Sequence, residues 1–214
     1  MIEGKVVHAK NVRMMTVFSL FRNDERRLDS TPFYLKPSGE TEEKEIAILS
    51  LTIGEIIRQA SAAGREVVFL CIGSDRYVGD SLGPLVGSML EDSQVPYKVY
   101  GTLKDPVHAF NLKGTIKEIN RQFTEPLIFS IDASLGTKEE AGSVIFKEGP
   151  LKPGKGIEKV LPSVGDYHFA GVVNYIDPLP TSQFLNDTRL YTVMMLAQAI
   201  VKVITGTLPD EGRV

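Results

Sequence analysis

The chain reads as an α/β protein, a three-layer, doubly wound, mostly parallel sheet with helices on both faces. Three observations predict this. The runs at 67–72 and 127–131 are continuously apolar and rich in β-branched residues, as strands covered on both faces must be. The stretches between them carry apolar residues at helical spacing. Strand and helix patterns also alternate, which is the signature of parallel strands joined by crossover helices.

Apolar residues at Ile46, Ile48, Leu49, Leu51, Ile53, Ile56 and Ile57 predict a buried helix that Gly64 ends as a cap. The first core strand follows over 66–72 and stops at Gly73. A helix starting near Asp80 directs Leu82, Leu85, Val86, Met89 and Leu90 to the core. Residues 97–100 read as a second strand, 115–123 as a helix, and 127–132 as a third strand that finishes on an acid. Beyond it come a strand over 142–147, a connection rich in proline and glycine over 151–156, and an amphipathic helix over 186–204. Residues 1–43 are expected to form a weakly ordered arm, 44–205 the domain and 206–214 a tail.

Composition narrows the function. The 214 residues are 43% hydrophobic and 24% charged, an ordinary globular balance. A net charge of −3 with scattered basic residues lacks the positive stripe that grips a phosphate backbone, so nucleic acid is not an expected partner. The single cysteine, Cys71, excludes an internal disulfide framework, suits a reducing cytoplasm and reads as a structural core residue. The apolar run at 14–21 is cut off by Arg22 and the charges at 24–27, so neither a secretory signal nor a membrane partner is expected.

In an open parallel sheet, ligands bind outside the carboxyl ends of the strands, where the strand order reverses. With the first and third strands adjacent in a 2-1-3 order, their ends lie about 5 Å apart, and Asp80 and Asp132 face one crevice. Two carboxylates sharing a site cannot both ionise freely, so one keeps a proton while the other stays anionic. Such a pair can activate water and protonate a departing group. The structural alternatives are a helix N-cap for Asp80 and a turn for Asp132. His168, in the segment 163–171, is either a packed, hydrogen-bonded core residue or the third member of the site, where two carboxylates and an imidazole suit a divalent ion.

The segment Gly73-Ser74-Asp75-Arg76-Tyr77-Val78-Gly79-Asp80-Ser81-Leu82-Gly83-Pro84, followed by Ile131-Asp132-Ala133, resembles the germination protease and hydrogenase maturation protease superfamily, and most closely its YyaC family of sporulation proteins. Asp80, Leu82, Gly83 and Pro84 keep the spacing of the germination proteases after the strand-end glycine. His168 to Gly171 is similar to the His-x-x-Gly segment that contacts metal in the maturation enzymes. The resemblance covers roughly residues 65–205. It implies a hydrogenase maturation protease-like fold and a peptidase acting on a protein or peptide, with Asp80, Asp132 and His168 as catalytic residues. Two alternatives remain for the cofactor: none, as in germination proteases, or nickel or zinc held by Asp80, Asp132 and His168. The implied location is the cytoplasm of a sporulating cell or spore.

Two rivals stand beside this reading. Gly79-Asp80-Ser81-Leu82-Gly83 matches the G-x-S-x-G elbow of serine hydrolases, which would make Ser81 a nucleophile. Six residues separate that motif from the strand, however, whereas an elbow needs its serine on the strand-end turn. The other rival is a sporulation binding protein that keeps the fold and its acidic crevice without turnover.

Overall fold

The computed structural model describes residues 31–37, 39–153, 161–175 and 187–208. In chain order the elements are β1 (Phe33–Leu35), α1 (Glu42–Ala62), β2 (Val67–Cys71), a 3₁₀ turn (Val78–Asp80), α2 (Leu82–Asp92), β3 (Lys98–Tyr100), α3 (Leu112–Gln122), β4 (Leu127–Gly136), β5 (Val144–Glu148), β6 (Tyr167–Tyr175) and α4 (Leu190–Thr205). The strands form one sheet in the order β1-β5-β6-β4-β2-β3. Strands β3, β2, β4 and β6 run parallel, while on the far side of β6 strand β5 pairs antiparallel with β6 and β1 antiparallel with β5. The first three core strands therefore lie in the expected 2-1-3 arrangement.

Alternation along the strands sorts the side chains into two layers. Val67, Phe69 and Cys71 of β2 and Leu127, Phe129 and Ile131 of β4 join the larger core, with α1, α2 and α4. Val68, Leu70 and Ile128 face the other way, toward Leu112 and Ile119 of α3 and toward Leu151 and Val164. Phe69 stacks on Phe129, Phe129 on Phe146 and Phe146 on Tyr167, so one aromatic row ties four strands together across the larger core.

Helix α1 ends as its sequence predicts. Gly64 has a φ of +73°, and the Arg65 and Gly64 N–H groups close back on the Ala60 and Ser61 carbonyls. Helix α2 lies unusually close to the sheet: a Cβ on Gly83 would collide with the backbone of Ile72, and one on Gly87 with the carbonyl of Gly101. Gly83→Ala should therefore lower stability by about 2 kcal/mol or more, since backbone cannot yield as a side-chain tip can. In contrast, Gly114→Ala meets open space within α3 and should be neutral or slightly stabilising. Thermal unfolding of the two variants checks both expectations.

The structure departs from the sequence reading in three places. Phe33–Leu35, counted with the arm, pairs with β5, and α1 starts at Glu42; residues 1–30 lie outside the described residues. Strand β4 does not stop on Asp132 but continues to Gly136, because β6 accompanies it that far. Strand β6 itself was not anticipated. Its Ala170-Gly171 pair breaks the apolar run, and it is a strand because β4 and β5 supply hydrogen-bonding partners on both of its sides. Residues 154–156 of the expected connection, residue 186 at the expected start of the last helix, and 209–214 of the tail lie outside the described residues.

Candidate functional site

Strands β2 and β4 pair in parallel from Val67↔Leu127 to Cys71↔Ile131. The bond from the Ile72 N–H to the Ile131 carbonyl, 2.7 Å, closes this ladder. The strands then part. Gly73, at a φ of +145° that glycine adopts most easily, turns its N–H toward β3's side, where the Val107 carbonyl accepts it at 2.8 Å. Asp132 is thus the first residue of β4 beyond the β2 ladder. Because α2 follows β2 on one face and α3 follows β3 on the other, this gap is where the strand order reverses.

Asp80 reaches the gap from the other side. The 3₁₀ turn that ends on it packs against β4, and its carbonyl accepts the Ser74 N–H at 2.9 Å, folding the loop back over the end of β2. Neither structural alternative describes these acids. The N-cap position of α2 belongs to Ser81, whose side chain makes no cap bond, and Asp132 sits inside a strand rather than in a turn, 9% exposed.

Burial raises the Asp80 carboxyl from 3.8 to about 6, against the pull of a hydrogen bond from the Ser74 N–H. Asp132 is pushed well above the carboxylate range, first by burial and then by the negative charge of Asp80, with the Ala133 N–H opposing. Burial and mutual repulsion thus both act against the doubly ionised pair and favour a state in which the two acids share one proton. An anionic acceptor with a pKa near ambient pH, beside a neutral acid, can take a proton from water and give one to a carbonyl oxygen. The backbone donors of Ser74 and Ala133 are parts of this site that motif reading missed; the glycine at 73 was their only sequence signal.

The structure keeps His168 apart from the acids. The register pairs Ser130 with His168 and Asp132 with Ala170, so His168 lies two positions toward the amino end of β6, about 7 Å along the sheet. Its Nδ1 meets the Gly149 carbonyl at 2.8 Å, and burial lowers its pKa. Among the described residues no three of histidine, cysteine, aspartate and glutamate are grouped to hold a metal ion. The Asp80, Asp132 and His168 metal set of the sequence reading is therefore not assembled, because strand register separates its histidine from its acids.

Ser81 is 6% exposed, and its hydroxyl donates to the Val78 carbonyl at 2.8 Å. A nucleophile needs the opposite, an exposed oxygen beside a base. Ser81→Ala should accordingly leave most of any hydrolytic activity, whereas loss of activity with folding intact would restore the serine-hydrolase reading. Asp166, the other acid near His168, accepts the Ile128 N–H at 2.8 Å and pairs with Arg65 at 3.3 Å, far from the gap. Cavities of about 530 and 470 Å³ flank that ion pair. They lie at the amino ends of the parallel strands, and the Arg65 and Asp166 that both share are paired with each other, so the acid pair is the stronger candidate. Cys71 is buried and its thiol is held high by burial, as befits a core residue.

Fold and site together define an α/β protein with two buried, interacting carboxyls, Asp80 and Asp132, at the reversal point of its sheet. The chain belongs to the family described as "Protein of unknown function (DUF1256)", whose model matches residues 40–203. It is similar to "Uncharacterized protein YyaC" of Bacillus subtilis (strain 168), 44% identical over 153 residues, covering 71% of this chain and 74% of that protein. The resemblance to the YyaC family is thereby borne out. None of the described helices is long and apolar enough to cross a membrane.

Proposed function

We propose that the protein is a peptidase of the sporulating cell or spore that hydrolyses a peptide bond with Asp80 and Asp132. One observation carries the reading: Asp132 is buried beside Asp80, whose charge raises its pKa, so that one acid holds a proton while the other is ionised. The resemblance of residues 73–84 and 131–133 to germination and hydrogenase maturation proteases supports it, as does the match to YyaC of a Bacillus.

In this reading water sits between the carboxylates. Asp80 removes a proton as the water oxygen bonds to the carbonyl carbon, and Asp132 gives its proton to the carbonyl oxygen. The tetrahedral species then collapses. Its nitrogen takes the proton from Asp80, the C–N bond breaks, and a hydroxyl proton returns to Asp132. Both acids end as they began. No step requires a metal or the His168 imidazole, so nickel or zinc would be an addition to this chemistry rather than its source.

The test is to incubate the purified protein with a spore-extract proteome and map newly formed amino termini. Termini that appear with the wild type and not with the Asp80→Asn, Asp132→Asn double variant support the proposal. Equal sets from both proteins, or none from either, would overturn it and leave a binding protein with an acidic crevice.

A further inference from the structure

We infer that β4, beyond its last bond to β2, is an open strand edge on which an extended polypeptide docks as an added strand beside the acid pair. This deepens the peptidase reading and rests on it for the link to turnover. The edge follows from the ladder. In a parallel pair, a residue turns its N–H and its carbonyl to the same side, and successive residues alternate sides. The Ile131 carbonyl accepts from Ile72 of β2, so Ala133 and Leu135 also turn their backbone groups to β2's side. Ile128, whose carbonyl accepts from Asp166 just before β6, turns to the β6 side with Ser130, Asp132 and Ser134.

Strand β2 is no longer there to receive Ala133 and Leu135: its register with β4 ends at Cys71↔Ile131, and past Gly73 the Ser74 N–H bonds to the Asp80 carbonyl instead of to β4. Among the described residues no strand pairs with β4 past Ile131 on that side, although β6 accompanies it on the other through Gly136↔Tyr175. The side chains agree: Leu127–Asp132 are buried, while Ala133–Gly136 are half-buried. Val78 of the 3₁₀ turn packs against the larger core, on one face of the sheet.

The Ala133 N–H is already directed to the Asp132 carboxylate. The Ala133 carbonyl and both backbone groups of Leu135 therefore remain as an acceptor, a donor and an acceptor along one line. A polypeptide in extended form presents the complementary donors and acceptors every second residue. Lying about 4.7–4.9 Å from β4, its backbone would pass the acids where β2 ends. The recognised feature is backbone, so the expected ligand is an unfolded or extended segment of protein rather than a small molecule.

The probe is a set of overlapping short peptides spanning β-casein, an unfolded polypeptide, presented to the full chain carrying Asp80→Asn to prevent turnover. Hydrogen exchange should show the Leu135 amide slowed by bound peptide, with no change at the outer strands β1 and β3. N-methylation of the tightest peptide, one residue at a time, should weaken binding about tenfold at alternate positions and little between them. Absence of any binding peptide, protection confined to other sites, or sensitivity without alternation would each overturn the inference. So would a Leu135 amide already slow in the free protein, which would show that the chain covers its own edge. Edge binding without cleavage by the wild type would support the docking and sink the peptidase reading, whereas cleavage without edge protection would do the reverse.

Discussion

Asp80→Asn and Asp132→Asn should each reduce cleavage by at least about a hundredfold, and the double variant should be no worse than either single one. Asparagine has nearly the shape of aspartate and can accept the same Ser74 or Ala133 N–H, so each fold should survive. What disappears differs between them. At position 80 the loss is the anion that takes the water proton; at position 132 it is the proton given to the carbonyl oxygen. Groups that act as one unit show this non-additivity because removing either member ends the joint function. The wild type should also work within a bounded pH range. Activity should fall below about pH 6 as Asp80 takes up a proton, and again at higher pH as Asp132 loses its own. Initial rates on a mapped substrate, with circular dichroism as the check on folding, decide the matter; near-normal rates in either single variant would remove the shared role.

The same acids should be a burden on stability, and the burden should grow with pH. A carboxyl whose pKa is higher in the folded state than in the unfolded one binds more protons when folded. Stability is then greatest below the unfolded value and falls as pH rises toward the folded value. For Asp80 the window runs from 3.8 to about 6, and for Asp132 it begins at 3.8 and extends higher. The rise at Asp80 corresponds to about 3 kcal/mol lost by neutral pH. Asp80→Asn should therefore match the wild type near pH 3.5 and melt about 6–12 °C higher at pH 7.5. Melting curves across that range test it. A variant no more stable than the wild type at pH 7.5 would mean that the acids are solvated or neutralised by a bound cation.

Much of this architecture was legible in the sequence because the signals were strong and local. The apolar runs of β2 and β4 announced covered parallel strands, and Gly64 announced the end of α1. Gly83 and Gly87 let α2 close on the sheet, where they approach the backbone of Ile72 and Gly101. What escaped was set by distant partners. Strand β6 is held in extended form by β4 and β5, and its own Ala-Gly pair gives no periodic signal. The misplacement of His168 followed directly from that, because its distance from Asp132 is a matter of strand register, which no local motif encodes. The edge beyond Ile131 was likewise invisible, since it exists only through the divergence of β2 at Gly73.

The seating of α2 has a consequence for how this protein can vary. The contacts that fix the amino end of α2 at Gly83 are with main-chain atoms of Ile72, and those at Gly87 are with the main chain of Gly101. Main chain is the part of a protein that substitution does not rewrite. The half-buried apolar residues of α2, Leu85 and Met89, can thus be exchanged for others of similar size without loosening the anchor from which the Asp80 turn departs.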